Sequence, residues 1–82
     1  MNLATAATPL ERSFPGIAVV PLANGSWRVT RRDGVLVGNV EPVGDEAGQR
    51  YRAKRFTPRD RGFRPIGEFW TPAEAVDALR FG

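Results

Sequence analysis

The sequence predicts an α+β domain: a small antiparallel sheet of three or four strands with one C-terminal helix packed on one face, in the order β-β-β-(β)-α. Three observations predict it. In "SWRVTRRDGVLVGNVEPV", residues 26–43, two runs rich in β-branched residues flank "RDG", and Asp-Gly is a strong hairpin turn. In "RYRAKRF", residues 50–56, Tyr51 and Ala53 alternate with Arg50, Arg52 and Lys54, the period of a half-buried strand. In "TPAEAVDALRFG", Thr71 as N-cap, Pro72 at the first helical position and Glu74 three residues after the cap form a capping box.

Each element follows in order. Residues 1–16 are small, polar and proline-punctuated, and read as a flexible or loosely docked arm ahead of a single domain, 17–82. "GIAVVPL", 16–22, is a short β-branched run suited to a sheet edge, where Pro21 is tolerated. "ANGS" then turns the chain, because Asn-Gly readily takes positive φ. The Asp-Gly hairpin has two registers. A two-residue turn pairs Arg32 with Val35, and a three-residue bulged turn pairs Arg31 with Val35. "GDEAGQ", 44–49, is a second turn and "TPRDRG", 57–62, a loop; "FRPIGEF", 63–69, is a fourth short strand or the far arm of a hairpin. The helix carries an apolar stripe of Ala75, Val76 and Leu79, and Gly82 stands where a C-terminal glycine often sits. About ten residues is too short for a helix stable alone in water, so it must pack on the sheet.

Composition excludes several function classes. With 82 residues, the chain is one domain with a small core. There is no cysteine for disulfides or thiolate metal sites, and no histidine to serve as general base or metal ligand. The acidic residues lie mostly in turns (Asp33, Asp45, Glu46, Asp60), and no GxSxG, P-loop or metal-ligand spacing appears. No enzyme, cofactor or small-molecule substrate is therefore expected. No apolar run approaches the length of a membrane span, and "MNLATAATPLERSFPG" lacks the pattern of a signal peptide. The expectation is a soluble, cytoplasmic, metal-free domain.

Charge is where the sequence is most informative. The formal net charge is only +3, but between Arg50 and Arg64 seven basic residues face Asp60 alone. Arg28, Arg31 and Arg32 add a second concentration. Eleven arginines to one lysine fits a GC-rich genome, which accounts for the residue type but not for the clustering. A local field of one sign attracts a polyanion even at modest net charge. Strand alternation sharpens the point: burying Trp27 and Val29 sends Arg28 and Thr30 to the opposite side, and burying Tyr51 and Ala53 exposes Arg50, Arg52 and Lys54. The candidate nucleic-acid-binding residues are Arg28, Thr30, Arg32, Arg50, Arg52, Lys54, Arg59, Arg61 and Arg64. Arg59 and Arg61 stand at the tip of the proline-stiffened "KRFTPRDRGFRP" loop. Against this reading, Glu41, Asp33 or Glu68 could neutralise the face, and Trp27, Tyr51, Phe56 and Phe69 suit a core better than stacking platforms.

The segment "YRAKR…FRPIGEFWTPAEAVDAL" resembles the three-stranded-sheet-plus-helix DNA-binding domain of plant ethylene-response-factor proteins and of the arm-binding domains of tyrosine integrases. Ile66-Gly67-Glu68-Phe69 stands for its last-strand motif, and Thr71, Glu74 and Ala75 for its helix start. The resemblance spans about residues 26–81, and "IGEFWTPAEAVDAL" is its most specific part. It implies that the sheet lies in the major groove, with Arg28, Arg52 and Lys54 as candidate contacts and Arg64 behind them. The long "EPVGDEAGQ" connection and the extra run at 16–22 depart from it.

The partner expected is thus double-stranded DNA, with RNA also compatible, in an accessory or regulatory role. The alternative is a protein-interaction module. A small adaptor or inhibitor, such as mobile elements encode, would use the basic face on an acidic protein surface, or pair through the "GIAVVPL" edge.

Overall fold

The computed structural model describes residues 9–10, 13–45 and 47–81. Five strands follow one another as an antiparallel meander in the order β1-β2-β3-β4-β5: β1 (Ile17–Pro21), β2 (Trp27–Arg31), β3 (Leu36–Asp45), β4 (Gly48–Thr57) and β5 (Gly62–Phe69). One helix, α1 (Pro72–Phe81), closes the chain. The α+β class holds, with five strands where three or four were expected.

The run at 16–22, expected only as suited to a sheet edge, is the added strand, and the 41–49 stretch lengthens two others. Instead of a long connection, it forms the paired ends of two ten-residue strands, down to Asp45 opposite Gly48. Gly44 takes φ 117° and the Asp45 carboxylate accepts the Ala47 N–H at 2.8 Å, so the reversal needs very few residues. Pro42 is harmless because β2 stops at Trp27, opposite Val40, leaving no ladder for its missing N–H to break.

The Asp-Gly hairpin takes the three-residue register. Arg31 N–H donates to Val35 O at 2.8 Å, Gly34 N–H donates to Arg31 O at 2.9 Å, and Gly34 sits at φ 93°. Two bulges then shift the ladders: Val37 is the extra residue opposite β2, and Ile66 the extra residue opposite β4.

One face of the sheet is dry. Trp27, Val29, Val40 and Ala53 meet Ala75, Val76 and Leu79 of the helix in one cluster, with Tyr51 and Phe69 packed around it. The predicted capping box is formed: Glu74 N–H donates to Thr71 Oγ1 and Thr71 N–H to Glu74 Oε1, both at 3.1 Å. The helix packs over β3, β4 and β5. Phe14, 4% exposed, completes the same core, with Leu10 packed against it, so the end of the expected arm is docked. Residues 1–8, 11–12 and the terminal glycine lie outside the described residues.

Both sheet edges are blunted. Along β1 the ladder to β2 alternates, and Leu22 N–H bonding to Ser26 O sets its phase. Val20 and Ala18 therefore face β2, while Ile17, Val19 and Pro21 turn their backbone outward. Pro21 has no N–H, and that of Ile17 is taken by Phe14 O at 3.3 Å. On β5, Pro65 and the Ile66 bulge interrupt the outer edge.

Candidate nucleic-acid interface

The open face of the sheet is set by strand parity. Arg28, Asn39, Lys54 and Pro65 stand in one cross-strand row, and Glu41, Arg52 and Glu68 in the next. As expected from the buried positions of Trp27, Val29 and Ala53, the side chains of Arg28, Arg52 and Lys54 share this face. Arg50 joins them one row further along β4, opposite Val43.

The three β4 cations are not free. Glu68 accepts from Arg50 Nε at its Oε1 and from Arg52 Nη2 at its Oε2, both at 3.0 Å. Glu41 accepts from Arg52 Nη1 at 3.3 Å and meets Lys54 Nζ at 2.9 Å. The five groups form a zigzag of alternating sign across β3, β4 and β5. The Arg52 hydrogen bond, followed by that of Arg50, holds the Glu68 carboxyl below the usual carboxylate range. In return, Glu68 holds the Arg52 guanidinium more firmly in its charged form. Like charges on this face therefore need no ligand to account for them: Arg52 has a carboxylate directly opposite on each side, and Arg50 and Lys54 reach the same two acids diagonally. Asp33 is not one of those carboxylates, since its Oδ1 accepts the Val35 N–H in the turn. Lower on the face, Phe56 and Phe63 pack on each other with centroids 5.4 Å apart, and Lys54 Nζ lies 5.9 Å from the Phe63 ring.

The remaining candidates divide by position. Arg28 is exposed on the open face and Thr30, also on that face, is half-buried. Arg32 is exposed in the β2–β3 turn; Arg59 and Arg61 are exposed in the β4–β5 turn. Arg64 is exposed but bonded to Asp60 Oδ2 at 2.7 Å. Arg55, next to the candidates in sequence, goes to the other side: its Nη2 reaches the Ala78 and Leu79 carbonyls at 3.5 and 3.4 Å, at the negative end of the helix. Its odd position on β4, beside Ala53, was the available signal.

Sequence alternation describes faces, whereas the meander decides which turns share an end, and the basic end here also carries Asp33 and Asp60. In a meander the β2–β3 and β4–β5 turns fall at the same end of the sheet. Arg31, Val35, Arg55 and Pro58 line one depression there of about 210 Å³. A second depression brings in Gly16, Arg31 and the helix end at Arg80 and Phe81. Among the described residues, Arg31, Arg32, Arg59 and Arg61 at this end have no ion-pair partner and are exposed, and the same is true of Arg28 on the open face. The opposite end carries Asp45 and Glu74, and its turns at 22–26 and 44–48 contain no lysine or arginine. Arg31 and the end-wise convergence were not among the sequence candidates, because they depend on which turns share an end.

Arg61 is also the one described non-glycine residue with positive φ, at 52°. The left-handed region costs a Cβ-bearing residue about 1–2 kcal/mol. Glycine would sit there at no such cost, yet the position holds an exposed guanidinium.

Among the described residues no helix is long and apolar enough to cross a membrane, and no group of three or more acidic side chains is placed to hold a metal. The chain matches no protein-family model, no curated protein and no solved structure.

Proposed function

We propose that this chain binds nucleic acid by its phosphate backbone, and that the contact is made by the end of the sheet rather than by its open face. The observation that carries this reading is the group of four exposed guanidiniums without ion-pair partners, Arg31 at the end of β2 and Arg32, Arg59 and Arg61 in two turns that share that end of the sheet. Guanidinium groups without an internal partner are free to neutralise phosphates and release counterions, which makes affinity fall steeply with salt. Arg50, Arg52 and Lys54 are already ion-paired with Glu41 and Glu68, which offset two of their three charges and leave them less available to phosphates. Arg28, unpaired on the open face, lies away from this end, and Arg64 beside the β4–β5 turn is tied to Asp60. The backbone strain at Arg61 supports the same reading, because strained positions tend to be kept where a side chain works. Pairing through the β1 edge, one of two routes to a protein-interaction module, is disfavoured by the missing donor at Pro21 and the occupied one at Ile17; use of a basic surface on an acidic protein is not affected by that.

The test is an anisotropy titration over a salt series with wild type, Arg59→Gln/Arg61→Gln and Arg61→Gly. The double variant should lose affinity, and the log–log salt slope should fall by about 0.7–0.9 for each phosphate left without its arginine. Arg61→Gly should bind more weakly while keeping its thermal midpoint, since glycine relieves the positive φ. Unchanged slopes in both variants exclude this end as the interface.

A further inference from the structure

We infer that the depression beside Phe81 receives an unpaired base, so that this end of the protein prefers single-stranded nucleic acid to duplex; the inference rests on the nucleic-acid reading above and deepens it. The depression holds about 380 Å³, within the ~300–1,000 Å³ common for ligand sites. It is lined by Pro15, Gly16, Ile17, Val37, Arg80 and Phe81 together with Arg31. The mixture is specific: apolar side chains, an aromatic ring and a guanidinium without an ion-pair partner.

Phe81 is 75% exposed, the most open of the large apolar side chains described. An exposed phenyl ring has a cost in water unless something covers it. The Arg80 guanidinium lies 4.3 Å from the ring centroid and is itself held by Asp77 Oδ1 at 3.2 Å. That stack steadies Phe81 from one side and leaves the remainder of its surface open. Trp70, 69% exposed, does not compete for the role: it precedes the helix N-terminus, at the end opposite the free arginines, and a Cβ on Gly48 would touch its ring at 3.7 Å.

The occupant follows from charge and shape together. A base stacks on an aromatic face whatever its identity, and its phosphate then falls near a lining cation, here Arg31. In a duplex the bases are stacked on each other, and reaching one requires flipping it out at a cost of a few kcal/mol. A phenyl platform within a cluster of free cations is therefore useful to a single strand and idle against a duplex.

The experiment compares a labelled 12-nucleotide single strand with the 12-base-pair duplex of the same sequence, for wild type, Phe81→Ala, Phe81→Trp and Arg59→Gln/Arg61→Gln. Wild type should bind the single strand more tightly at 0.1 M salt, despite its lower charge. Phe81→Ala should weaken single-strand binding about fivefold or more, leaving duplex affinity and both salt slopes unchanged. Phe81→Trp should retain or improve it. The double arginine variant should weaken both ligands. A duplex preference in wild type, or single-strand affinity indifferent to Phe81→Ala, overturns the base site while the phosphate interface stands. Binding of neither ligand by wild type overturns both.

Discussion

Arg52 and Glu68 face each other directly across the β4–β5 ladder, with Nη2 3.0 Å from Oε2, and the second oxygen of the same carboxylate takes Arg50. This one acid, with Glu41 on the other flank, offsets two of the three β4 charges that alternation places on the open face. The consequence is measurable. Arg52→Ala or Lys54→Ala should leave nucleic-acid affinity and its salt slope close to wild type, whereas loss of Arg59 and Arg61 should reduce both. If instead Arg52→Ala abolishes binding at an unchanged thermal midpoint, the interface belongs on the sheet face after all.

Glu68 gives the fold a pH signature. Its carboxyl is held below the ordinary carboxylate value of about 4.3 by Arg52 first and Arg50 second. A depressed folded value means that its stabilising contribution is complete above the unfolded value and disappears as pH falls through the folded one. Thermal midpoints recorded from pH 7 to pH 3 should therefore drop in the acid limb. Glu68→Gln should start lower and drop less. Because the pair is partly exposed, raising the salt should shrink the difference. Parallel curves for the two proteins would count against the pairing.

Gly38 lies under Leu79 of the helix with no room for a side chain. A Cβ built there would lie 2.9 Å from Leu79 Cδ2 and would also collide with the Lys54 carbonyl, which as backbone has little room to yield. Gly38→Ala should destabilise the fold by about 1–3 kcal/mol, as overpacking does, with the loss visible in denaturant midpoints. Gly34→Ala meets open space but a φ of 93°, so its loss should come from backbone strain alone and remain when Leu79 is shortened.

Phe14 decides whether the segment before β1 is part of the fold. It is almost wholly buried in the cluster that holds Trp27 and Val29. Phe14→Ala should cost about 3–5 kcal/mol, comparable to losing a core residue of the sheet. A denaturant midpoint matching wild type would mean that the core closes without it.

Local chemistry was enough for a large part of this molecule. The Asp-Gly turn at 33–34, the capping box of Thr71 and Glu74, and the alternation of Tyr51 and Ala53 with Arg50, Arg52 and Lys54 are each fixed within a few residues, and each was legible. The same alternation places Arg28 and Lys54 on one face without any knowledge of the pairing. What lay beyond it was register. Glu41 and Glu68 reach Arg52 from 11 and 16 residues away, and the extra residues Val37 and Ile66 slide each ladder by a step that no periodicity reveals. Tertiary structure also decided that Phe14 joins the core, that Arg55 turns to the helix, and that two distant turns, with the end of β2, bring four arginines without ion-pair partners to one end. Side-chain alternation is a property of a single strand, but ion pairing belongs to neighbouring strands and exists only once they are aligned.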